Sequence, residues 1–210
     1  IPRPKDTPPV PAHMNWDLWL GPAPKRPYHP CYDPFAWRGW WDFGTGVLGD
    51  IGCHNLSTAF KALKLGWPES VEACSTHWNA PPEIKNETAP LASTITFRFA
   101  AEGDRPEIII QWHDGGMMPP LPKELGAKNI FDGDGTLIVG DKGILNGAQL
   151  LPDARAAEVG TPQKVLSRSP GHYQEWVDAC KGGKPAGSNF VDHAGHLAAV
   201  VLMGNIAIRT

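Results

Sequence analysis

The sequence of 210 residues has no Cys-x-x-Cys pair, no large excess of either charge and no apolar run near the length of a membrane span. Each absence removes a class of protein. Cys31, Cys53, Cys74 and Cys180 stand far apart, so free buried thiols are expected rather than a zinc ribbon or a redox dithiol. A formal net charge of -3 leaves no basic footprint for a nucleic acid. A bilayer span requires roughly 20 consecutive apolar residues, and without them no membrane partner is expected. The opening Ile-Pro-Arg-Pro-Lys has the pattern of neither a signal peptide nor a natural start, so the reading is a segment of a longer protein.

Nucleotide and metal signatures are also scarce. The glycines of "FDGDGTLIVGDKG" (131 to 143) satisfy neither G-x-G-x-x-G nor the P-loop pattern, and no strand-to-helix junction surrounds them. Asp132 and Asp134 open like a calcium loop, yet Leu137 stands where the sharp-turn glycine belongs, and a β-turn is expected there. His193 and His196, with Asp192 beside them, are spaced to share a metal, but no third ligand follows from the spacing. They are read as packed or cleft-lining histidines, with no metal.

What the chain does have in quantity is 22 Pro, 23 Gly and 9 Trp. Prolines recur from Pro2 to Pro34 and forbid a long helix or central strand over most of residues 1–43. That stretch also carries Trp16, Trp19, Tyr28, Tyr32, Phe35, Trp37, Trp40 and Trp41, too much aromatic surface to leave in water. An arm packed on the rest of one domain, residues 1–210, is the expectation.

From Gly46 to Leu65, the residues Leu48, Ile51, Leu56, Ala59, Phe60 and Leu63 recur at helical spacing, and the pattern stops at Gly66 with Pro68 beyond. Asp50, His54, Ser57 and Lys61 then share a polar stripe of that helix. Strands are predicted over 70–78, 92–100 and 107–114, with a hairpin over 136–147 turning at Gly140 to Gly143. Helices follow over 172–182 and 192–210, the last apolar enough to imply deep burial. This order predicts an α+β fold: an open, predominantly antiparallel β-sheet with helices packed on one face.

Asp50 and His54 are the first chemical candidates. A carboxylate near a helix N-terminus is favoured by the dipole, and an imidazole one turn on exchanges a proton near neutral pH. On spacing alone, the same pair is what a surface or capping pair looks like. His113 and Asp114 end a strand before two glycines, either as a turn or as ligand-facing groups.

"WRGWWDFGTGVLGDIGCHNLS", "WHDGGMMPP" and the closing "HLAAVVLMGNIAIRT" resemble the C-terminal domain of the Gfo/Idh/MocA oxidoreductases, the glucose-fructose oxidoreductase and inositol dehydrogenase family, in a bacterial subgroup with a tryptophan-rich insert. The likeness runs over most of residues 14–209, and Gly-x-Leu-x-Asp-x-x-x-His is its most specific part. It implies a C-terminal domain of the dihydrodipicolinate reductase and glyceraldehyde-3-phosphate dehydrogenase type. It also implies an N-terminal Rossmann domain outside this chain that binds NAD or NADP, and a site between the two. Asp50 and His54 match the family's catalytic pair, the histidine as acid/base on a substrate hydroxyl and the aspartate as its orienter. The family's Glu-Lys-Pro lysine, carried by the Rossmann domain, has no counterpart in these residues.

The resemblance therefore implies half of a sugar or polyol oxidoreductase site, inactive by itself and assembling as a homo-oligomer through its sheet; the compartment, bacterial cytoplasm or periplasm, is left open. Trp37, Trp40, Trp41 and Tyr32 are expected to offer ring faces to a sugar, Arg38 and Asp42 to bind hydroxyls, and His113 and His193 to complete the substrate site. The competing reading of any one tryptophan is an anchor for the arm. Two alternatives remain at this point: an NAD-dependent glycoside-cleaving enzyme using transient redox, and a non-catalytic assembly module.

Overall fold

The computed structural model describes residues 1–125 and 134–210. Asp132, in the calcium-like turn, lies outside the described residues. The chain begins with a long irregular arm whose only regular pieces are α1 (Trp16–Leu20) and a 3-10 turn (Ala36–Gly39), as its prolines dictate. There follow α2 (Gly46–Leu63), β1 (Ser70–Ser75), α3 (Pro82–Lys85), β2 (Ser93–Phe99), β3 (Ile108–His113), β4 (Leu137–Gly140), β5 (Gly143–Asn146) and β6 (Gln149–Leu151). The chain closes with α4 (Asp153–Val159), α5 (His172–Cys180), a π-helical turn (Phe190–Ala194) and α6 (Gly195–Arg209).

The architecture is α+β with antiparallel strands, divided into two small sheets: β1-β2-β3 and β4-β5-β6. In the first sheet, Ile95 faces Ala73 on one side and Trp112 on the other. Strict alternation along β2 sends Ser93, Ile95, Phe97 and Phe99 inward and Thr94, Thr96 and Arg98 outward. On the inner face lies α6, and α2 packs across α6, so Leu48, Leu56, Phe60, Leu197, Val200 and Val201 join Ile95, Phe97, Phe99 and Trp112 in the main core.

Two details of the helices differ from the pattern in the sequence. Ile51 is 36% exposed, because the true buried stripe of α2 steps from Leu48 through Gly52 to Leu56, and the bare Gly52 is where Val201 comes against the helix. The helix also ends at Leu63, with Lys64 in the left-handed conformation as its cap, two residues before the expected glycine. The last helix is buried on one side only: Leu202 and Ile206 are exposed. By length and composition, the continuous helical run Phe190–Arg209 would suffice to cross a membrane, but it presents Leu197, Val200 and Val201 to the sheet and α2 as a core helix does.

The arm is tied to the sheet region through charge and backbone. Arg26, nearly fully buried, pairs with Asp42 and with Glu87, and Arg3 reaches the other oxygen of Glu87 at 2.6 Å. Trp41 N–H donates to the Glu87 carbonyl, and Ala89 N–H to the Gly39 carbonyl. An aromatic cluster fills the arm from within: Trp16 stacks on Trp19 at 4.6 Å, and Tyr32 meets Trp40 edge-on at 4.8 Å.

Candidate active site

The loop that leads into α2 is folded back tightly. Trp40 carbonyl accepts from both Phe43 N–H (2.9 Å) and Gly44 N–H (2.8 Å). At Gly44 a Cβ would sit 2.6 Å from the Arg38 carbonyl oxygen, so only glycine permits the chain to pass that close. Gly46, at φ 66°, then turns the chain into the helix. This fold-back lays the 3-10 turn over the first turns of α2. Arg38 Nε donates to Asp50 Oδ2 at 3.0 Å, while its guanidinium rests over Trp37 at 4.5 Å and over Phe35 at 4.3 Å.

Asp50 is therefore held by Arg38, and not by His54. One turn along, His54 is exposed, and among the described residues nothing hydrogen-bonds its ring. Next on the stripe, Ser57 Oγ shares a 2.9 Å hydrogen bond with His193 Nε2, so the π-helical turn is fastened to α2 beside His54. Lys61 Nζ closes the row on the Gly187 carbonyl at 2.8 Å. Burial, with Lys61 and His196 close by, holds His193 below the ordinary imidazole value and so neutral at pH 7. Chemically, the stripe offers a fixed carboxylate, an exposed imidazole with no hydrogen-bond partner among the described residues and a neutral imidazole–hydroxyl pair, and Asp134 and Thr136 hydrogen-bond to the neighbouring Asn55.

The expected substrate residues divide into three groups. Arg38 and His193 lie on or against this stripe. Trp37, Trp41 and Asp42 line a separate cleft of about 600 Å³ between the end of α1 with the segment after it and the 3-10 turn with the loop after it. Tyr32 and Trp40 offer no face to a ligand: they are 1% and 3% exposed, packed on each other as the core of the arm. The reason is that residues 1–43 have no strand or long helix, and the rings themselves must supply the packing. Asp42 is engaged by Arg26.

His113 is not brought to this face. It stands across from Thr94 on the outer side of the first sheet, sharing a 3.3 Å hydrogen bond with the Thr94 hydroxyl, away from the side covered by α6 and α2. Burial lowers its pKa despite the opposing charge of Asp114. Asp114 itself is taken up by Ser93 and by Trp112 Nε1, which anchors the end of β3. His193 and His196 separate, the latter meeting the Gly66 carbonyl at 3.0 Å. Among the described residues, no three His, Cys, Asp or Glu side chains form a ligating group. Cys53 packs against the core, and burial pushes its thiol up, which leaves it protonated and unreactive at neutral pH.

The Arg38 to Asp50 contact is the feature the residues alone did not reveal. Twelve positions separate the two, and no helical or strand period links them. The only signal was Gly44, whose lack of a side chain lets the loop return on itself.

Residues 4–78 match the family model described as the C-terminal alpha/beta domain of the oxidoreductase family, the Gfo/Idh/MocA group. The matched segment contains the arm, α2 and β1, hence Arg38, Asp50 and His54. No curated protein matches the chain.

Proposed function

We propose that this chain, whose residues 4–78 match the model of the Gfo/Idh/MocA oxidoreductase C-terminal domain, supplies the substrate-facing half of a nicotinamide-dependent oxidoreductase acting on a carbohydrate or polyol hydroxyl. The observation that carries the proposal is the polar stripe of α2, where Asp50 is fixed by Arg38 and the exposed His54 ring has no hydrogen-bond partner among the described residues. Such a stripe is what a site completed from outside these residues requires.

The dinucleotide's phosphates have no cradle among the described residues, since Gly44 and Gly46 are used by the fold-back and the helix entry. In this reading the nicotinamide ring would be brought to the stripe by a second domain. A nicotinamide cofactor bound beside the stripe would supply the hydride acceptor or donor. His54 accepts the proton of the reacting hydroxyl in oxidation and returns it in reduction, worth a typical 10² to 10⁴ in rate. Asp50, locked by the planar guanidinium of Arg38, receives a hydroxyl hydrogen bond and fixes the ring relative to His54. His193 and Ser57 border the same face and supply one further hydroxyl contact. Self-association through the outer face of the first sheet, where Ile109 is 49% exposed across from Arg98 and beside Thr96 and Gln111, is part of the same proposal.

The test uses the intact protein with NAD or NADP and a panel of sugars and polyols, following nicotinamide absorbance and the carbonyl product. Reduced cofactor formed in step with product supports the proposal. Glycoside cleavage with no net reduced cofactor would replace it with transient redox, and neither outcome with any substrate would favour an assembly module.

A further inference from the structure

The cleft in the arm is separate from the α2 stripe and is built differently. Trp19, Trp37, Trp41 and Phe43 give it flat walls, Pro24 adds another apolar face, and Asp42 is the single charged residue that lines it. The Asp42 charge is met from behind by buried Arg26, and no cation is among the described residues that line the cleft, although the Arg209 guanidinium lies over the Trp41 ring at 5.1 Å. A phosphate or a dinucleotide thus finds no counter-charge among the described lining residues, and an organic cation finds a carboxylate already paired. The indole N–H groups of Trp16 and Trp41 are used on backbone carbonyls, whereas those of Trp19 and Trp37 have no partner among the described residues. Flat apolar walls, indole N–H donors with no partner among the described residues and one neutralised acceptor suit a neutral ligand with C–H faces and hydroxyl edges. The volume, about 600 Å³, lies within the roughly 300–1,000 Å³ of ordinary small-molecule sites.

The position of the cleft extends the argument. Trp37 is one of its walls, and the ring of Trp37 lies under the same Arg38 guanidinium that holds Asp50. Cleft and stripe are therefore joined through one side chain, yet a single pyranose at His54 cannot also fill the cleft. We infer that the cleft is a subsite for a neutral pyranose unit that does not react, so that the substrate is a glycoside of at least two units. This inference rests on the oxidoreductase reading of the α2 stripe.

The experiment is calorimetric titration of the intact protein with glucose, methyl glucoside, cellobiose, maltose and lactose, repeated in the presence of NAD. At least one disaccharide binds about tenfold or more tightly than its monosaccharide, the increment expected of one well-packed ring. Trp37→Ala removes a wall, and Ala23→Phe fills the cleft while leaving every aromatic contact in place. Either reduces the ratio of disaccharide to monosaccharide affinity about tenfold. Equal affinities across the panel, an unchanged ratio in Ala23→Phe, no binding of any saccharide, or displacement of the disaccharide by NAD would each overturn the subsite. Monosaccharide turnover that survives with equal affinities leaves the oxidoreductase reading standing without the subsite. Disaccharide binding that persists without any redox turnover supports the cleft and removes that reading.

Discussion

The seating of α6 against α2 sets where Asp50 and His54 stand, and its tightest contact is at Gly204. A Cβ at Gly204 would lie 2.6 Å from Leu48 Cδ2 and 3.0 Å from Phe97 Cζ, all three residues being buried. Leu48→Ala removes a side chain that is 2% exposed and leaves a cavity, for a loss of about 3 kcal/mol within the usual range of roughly 2–5. In a chain of this size, that lowers Tm by roughly 6–12 °C. Gly204→Ala forces an overlap costing about 2 kcal/mol, of which about 1 is returned by helix propensity. In the double variant the new methyl enters the space that Leu48 vacated, so the combined loss is about 1–2 kcal/mol smaller than the sum of the two. Urea unfolding of the four proteins measures that coupling directly. Losses that add to within about 0.5 kcal/mol would refute the seating, because independent sites add to that precision.

Three further outcomes follow from the same geometry. Arg38→Ala changes stability by no more than about 1 kcal/mol, since both partners are partly exposed, but lowers turnover of the intact enzyme roughly ten- to a hundredfold; Arg38→Lys restores little, because an ammonium cannot reproduce the stacked Nε–H bond. His113 and His193 both have lowered pKa values in the folded chain, so the unfolded chain binds their protons more readily. Their contribution to stability is intact above about pH 6.5 and is lost as the pH falls through their folded values, so Tm drops on mild acidification and drops less in the His113→Asn/His193→Asn variant; an equal drop in both proteins would contradict this. Ile109→Lys on the outer face of the first sheet reduces self-association in sedimentation, and an unchanged mass distribution would exclude that face as the interface.

The parts of the fold legible in the sequence are those with a regular period. The inward alternation of Ile95, Phe97 and Phe99 and the helical recurrence of Leu48, Leu56 and Phe60 are local, and the elements appear within a few residues of where the pattern places them. β6 escaped notice because three residues, Gln149 to Leu151, are too few to show alternation, and with it went the division into two sheets. The stripe of Asp50, His54, Ser57 and Lys61 was legible for the same periodic reason. What engages it was not: Arg38 and His193 reach it through loop closure and through the π-helical turn, neither of which leaves a period. The arm gave the least away. Proline content excluded regular structure there, but which rings would be buried, as Tyr32 and Trp40 are, and which would line a cleft, as Trp37 and Trp41 do, depends on contacts among the rings themselves.

The central claim is that His54 exchanges a proton with the substrate. The direct measurement is kcat/KM of the intact enzyme carrying His54→Asn, with NAD or NADP and its best sugar. The account predicts a fall of roughly 10² to 10⁴ with Tm almost unchanged, because the side chain is exposed and supports no packing. A kcat/KM equal to that of the unaltered enzyme would contradict it.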